Sequence, residues 1–254
     1  MSEYTWTGTT SGDLGVSTNW SPNGIPSTGD NVIFPASPTN PPSVGTLTID
    51  GTITIDNGAI INSGTYITEA TVAINNNGTI SGGTFVGYTY NIGTVSGGEF
   101  NSGQEFDNYS TINGGTFGIN VYSFAGTING GTFVDIYVSN SYITDGTFNG
   151  QTAIFNAGSI SGGTFNGVVS VASTSYGIGG GTFNEQVSLE GGSYVFGGTF
   201  KNISNGGAYI AGMTTVMPGT FVSNGQWVSS FTNFAFNITG VGQGVNGSSI
   251  LGMI

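Results

Sequence analysis

Thr127-Ile-Asn-Gly-Gly-Thr-Phe133 is one copy of a seven-residue unit that recurs along the chain. Other copies end at Phe85, Phe100 (Gly-Gly-Glu-Phe), Phe117, Phe148 (Asp-Gly-Thr-Phe), Phe165, Phe183, Phe200 and Phe221 (Pro-Gly-Thr-Phe). Successive Phe positions are 15, 17, 16, 15, 17, 18, 17 and 21 residues apart. This step is too short for a helical-pair repeat or a propeller blade, which need roughly 33 to 45 residues. It fits one coil of a solenoid, with a perimeter of about 55 Å in extended chain, enough for two or three short strands. Coils of this kind stack about 4.8 Å apart.

Parity inside the unit locates a corner. Ile128 and Phe133 are five apart, so on one straight strand they would face opposite sides, although both are the apolar residues of the repeat. The chain must turn between them, and Gly130-Gly131 can do so without a Cβ penalty. The same role falls to Gly82, Gly83, Gly114, Gly115, Gly162, Gly163, Gly197 and Gly198. After the Phe, Val169 and Val171, Val187 and Leu189, and Ile154 keep one inward parity. Ile136 and Val138 shift by one place after Phe133, a loop deletion in a short step.

Stacked in register, Phe85, Phe100, Phe117, Phe133, Phe148, Phe165, Phe183, Phe200 and Phe221 form an internal ladder with an outward Thr column beside it. Burial and inter-coil hydrogen bonds then supply stability. The alternative is that the Phe residues line a sugar groove or a subunit seam. The outward column has Glu99 as one rung and glycine beside each Thr, unlike the flat Thr-x-Thr ranks of ice-binding solenoids.

The expected fold is all-β: a single-chain parallel β-solenoid of about 10 to 11 coils, each 15 to 18 residues long, with terminal caps. Residues 1–45 form an N-terminal cap or anchor, 46–221 the shaft and 222–254 a divergent C-terminal cap with a glycine-rich apolar tail. Within the shaft, Thr46–Ile53 and Ile60–Tyr66 serve as lead-in coils. The cap region holds six of the seven prolines and two of the three tryptophans. The C-terminal region either folds back over the last coil or inserts into a partner or second copy. Trp6, Trp20, Trp227, Phe231, Phe234, Phe236, Leu251 and Ile254 are the candidate docking side chains.

Composition narrows the chemistry. Among 254 residues there are 47 Gly, 37% apolar residues and 6% charged ones. Thirteen acids against Lys201 leave a net charge of −12, which repels nucleic acid. Without His, Arg or Cys, no Ser-His-Asp triad, Cys-His pair or thiolate metal site can be assembled. Two carboxylates could still hydrolyse a glycosidic bond, from Glu105 with Asp107, Glu185 with Glu190, or Glu99 with Asp145. These acids do not recur with the coil, and no calcium-binding repeat is present, so neither enzyme activity nor a metal or other cofactor is expected. The N-terminus lacks the basic and apolar regions of a signal peptide, and no apolar run is long enough to span a membrane.

Two resemblances extend this reading. Trp6-Thr-Gly8, Asn19-Trp20, Gly24-Ile-Pro26 and Gly29-Asp-Asn-Val-Ile-Phe34 resemble the opening module of bacterial autotransporter-like surface β-solenoids, which implies a cap over an exposed strand edge. The repeat style of residues 46–221 resembles bacteriophage fibre, spike and decoration proteins. That implies a virion structural protein on capsid or tail, made in the host cytoplasm. Its expected partners are other assembly proteins, further copies in a homo-oligomer such as a trimer, and host-surface glycans. A bacterial surface adhesin and a carboxylate glycoside hydrolase are the rival expectations.

Overall fold

A computed structural model describes residues 2–68, 73–102, 105–172, 175–190, 193–206, 209–216 and 221–223. The chain is all-β, with mostly parallel strands stacked as a β-solenoid of about 9 turns. It divides into two compact units, residues 1–135 and 136–254.

In the first unit each coil makes three short strands, which settles the cross-section as three-sided. The first face carries the aromatic column: Leu47 pairs with Tyr66, Tyr66 with Phe85, Phe100 with Phe117 and Phe117 with Phe133. The second face stacks Val32, Ile53, Ile74, Thr89, Phe106 and Val121. The third stacks Ile61, Ile80, Val95, Ile112 and Ile128. All are buried, so the three columns meet in one narrow core.

The rings of Tyr66, Phe85, Phe100, Phe117 and Phe133 follow one another at 4.7–5.1 Å with interplanar angles of 3–14°. Phe106 on the second face meets Phe100 and Phe117 edge-on, at 4.9 and 5.0 Å. Offset stacks and edge-to-face contacts are the two geometries that ring quadrupoles favour.

The corner between the third and first faces uses its two glycines for different reasons. A Cβ on Gly130 would stand 2.6 Å from the carbonyl oxygen of Asn113 in the coil beneath, so that position admits no side chain. Gly131 has φ +112°, which L residues rarely adopt. Close approach and backbone handedness together require the pair.

The N-terminal residues close one end of this unit. Glu3–Trp6 pairs with Asn31–Phe34, which joins the second face through Ile53. Leu14 is buried, and its backbone N–H donates to the carbonyl of Val44 at 3.0 Å. Trp6 and Trp20, expected as docking side chains, lie inside this cap: they are 0% and 2% exposed and cross edge-on at 4.8 Å. Their indole N–H groups donate to the carbonyls of Asn40 and Leu14. Both rings plug the coil end, where apolar core would otherwise meet water.

The second unit repeats the three-faced plan. Phe148, Phe165, Phe183 and Phe200 stack at 4.6–4.7 Å and 2–8°. The second face stacks Thr152, Val169 and Val187, and the third Ile143, Ile160, Ile178 and Val195. At its C-terminal end the expected ladder changes. Val216 is the residue in register with Phe200, whereas Phe221 pairs with Ile203 on the second face. Phe221, at the end of a 21-residue step, is therefore not a rung of the first-face ladder. Trp227, Phe231, Phe234, Phe236, Leu251 and Ile254, with the expected C-terminal cap, lie outside the described residues.

Candidate functional site

Asn76, Asn91, Asn108 and Ser123 end the second-face strands of successive coils in the first unit, and all four are fully buried. Each Asn amide donates to the next member: Asn76 to Asn91 at 2.6 Å, Asn91 to Asn108 at 2.7 Å, Asn108 to the Ser123 hydroxyl at 3.0 Å. The Asn76 and Asn108 side-chain oxygens also accept the backbone N–H two residues on, from Gly78 and Ser110. This Asx-turn geometry bends the chain at Asn76 and Asn108 while the amide column stays satisfied. Replacing Asn91 by Ala would break two rungs and strand buried partners on both sides. A loss of about 2–4 kcal/mol is expected, read from urea unfolding with circular dichroism.

The buried Asn column fixes which side chains leave the corner. The residue after each of the last three members projects outward: Ile92, Tyr109 and Phe124 are 48%, 39% and 36% exposed. Tyr109 and Phe124 stack at 5.0 Å and 24°, and Tyr90 leans on Tyr109 at 5.0 Å and 43°. On the adjoining outer face Tyr90, Asp107 and Tyr122 fall in register in consecutive coils. The Tyr88 hydroxyl donates to the Asp107 carboxylate at 2.6 Å. Burial and that carboxylate hold the Tyr88 phenol well above its usual pKa, and burial with the Asp107 charge raises Tyr109 as well. Both phenols therefore stay neutral donors at ordinary pH.

Beside the strip runs a shallow groove bordered by Asn57, Asn77, Thr79, Thr94, Ile92 and Ser110. Its floor is backbone. A Cβ on Gly78 would stand 2.4 Å from the Asp56 carbonyl oxygen, and one on Gly93 2.2 Å from that of Gly78. No side chain can fill the groove without moving the coil below.

The residues expected to matter fall elsewhere. The nine Phe positions, Phe221 apart, are buried rungs and not a groove lining. Thr84, Thr116 and Thr132 point outward with Glu99, and Thr84, Glu99 and Thr116 with Gly83, Gly98 and Gly115 border a second shallow concavity on the first-face corner. Among the carboxylates, Asp107 is engaged by Tyr88, while Glu99, Asp145, Glu185 and Glu190 are exposed. Among the described residues, no three His, Cys, Asp or Glu side chains come together. No helix among them is long and apolar enough to cross a membrane.

The Asn column and the outer aromatic strip were not anticipated from sequence. The available signal was the recurrence of Asn76, Asn91 and Asn108 at 15 and 17 residues, the same steps that separate Phe85, Phe100 and Phe117. Against known proteins, the chain matches no family profile, no curated protein and no solved structure.

Proposed function

We propose that this chain is a structural protein: a stiff β-solenoid displayed on the surface of a virion, held at one end and presenting its flank outward. The observation that carries the reading is the in-register aromatic stack of each unit, with rings 4.6–5.1 Å apart and near parallel. Each coil is fixed to the next through three backbone ladders and one ring contact, an arrangement that resists bending and local opening. The net charge of −12 supports display, because it keeps neighbouring copies from associating non-specifically. The virion as carrier rests on the repeat style of residues 46–221. Imaging of particles from the native source tests it: ordered copies on a capsid or tail are expected. Copies on a cell envelope would replace the virion by a surface adhesin, and a free monomer would reject display altogether.

A further inference from the structure

The side chains of the aromatic strip and of the groove beside it stand outside the core, over backbone that is laddered to the neighbouring coils, and both lie on the first unit. Tyr109 and Phe124 stack across neighbouring coils at 5.0 Å and 24° and stay 39% and 36% exposed, so part of each ring is open to a ligand. The groove reaches the strip directly, since its border residue Ile92 is one of the outward side chains of that corner and Ser110 follows Tyr109 in sequence. Its other walls are the amides of Asn57 and Asn77 and the hydroxyls of Thr79 and Thr94, with no charged group among them.

We propose that groove and strip together bind a neutral saccharide chain laid along the coil axis. A pyranose has a rim of hydroxyls and a face of C–H groups. Amides and hydroxyls on successive coils match the rim, and the exposed rings of Tyr109 and Phe124 match the face. Because Asn57, then Asn77 with Thr79, and then Thr94 belong to three consecutive coils, one sugar after another meets the same kind of surface. Charge selects among saccharides. A protein with net charge −12 repels a polyanionic glycan. A cationic one finds no carboxylate in the groove, the Asp107 carboxylate beside the strip already accepts from the Tyr88 hydroxyl, and two rings in a single row are not a cage for an ammonium group. The biological occupant rests on the display reading above; the binding chemistry rests on the surface alone.

The test is titration calorimetry of the full chain with cellohexaose, chitohexaose and maltohexaose, with heparin and chitosan as charged contrasts. Saturable binding of at least one neutral hexamer is expected. Tyr109→Ala combined with Phe124→Ala should weaken it about tenfold or more. Thr94→Val, which removes one groove hydroxyl and keeps a strand-forming residue, should weaken it about threefold and serves as the second variant if the double one misfolds. Tyr176→Ala, at an aromatic that is 60% exposed in the other unit, should leave binding unchanged. Failure of all three neutral hexamers to bind, binding of heparin or chitosan alone, or binding indifferent to the strip and groove variants would each overturn the inference. None of those outcomes touches the display reading, which is decided on the particle.

Discussion

Phe117→Ala is expected to lower the unfolding free energy by about 3–5 kcal/mol, among the largest effects available to one side chain here. Phe117 is 1% exposed and is gripped on three sides: Phe100 stacks on it at 4.9 Å, Phe133 at 4.7 Å, and Phe106 meets it edge-on at 5.0 Å. Removing the ring leaves a cavity that flanking coils cannot close, because their spacing is set by backbone hydrogen bonds on all three faces. In a stacked repeat the damage is transmitted to nearest neighbours, so cooperativity should suffer as well. Urea unfolding followed by circular dichroism should show an earlier midpoint, with a shallower slope if the coils around Phe117 open first. A variant as stable as the parent would mean that the stack is not the source of stability.

Gly162→Ala is expected to destabilise by about 3 kcal/mol or more, the range reserved for backbone displacement and lost ladder bonds. The new Cβ would sit 2.2 Å from the carbonyl oxygen of Thr144 in the coil beneath, so the coils must part. Its neighbour Gly163 has φ +101°, and Gly163→Ala should cost about 1–3 kcal/mol through backbone strain. The ordering of the two variants is the informative result, measured by thermal and urea unfolding side by side. Equal and small effects would show that the corner tolerates a wider spacing than the structure gives it.

The repeat was legible because one residue type, Phe, fills one core column, and its spacing survives small changes in loop length. The glycine corner was legible too, since Ile128 and Phe133 cannot share a face without it. Three-sidedness was not, because it depends on the turn after Asn76, Asn91 and Asn108, which one-dimensional parity cannot see. Those residues were hidden by composition: in a chain whose surface is rich in Asn, Ser and Thr, a buried Asn column looks like more surface. Trp6 and Trp20 show the converse, large rings whose sequence setting does not tell a plug from a docking patch. Phe221 has the motif without the register, because register depends on the length of chain before it. Tyr90, Tyr109 and Phe124 are 19 and 15 residues apart and become a strip only when coils stack.

Electron cryomicroscopy of particles purified from the native source tests the display account most directly. The account predicts this chain in regularly spaced copies on a capsid or tail, each showing three-sided coils at the spacing of the Phe rings and one end anchored in the particle. The chain recovered only as free monomers, with no copies on any particle or filament, would contradict it.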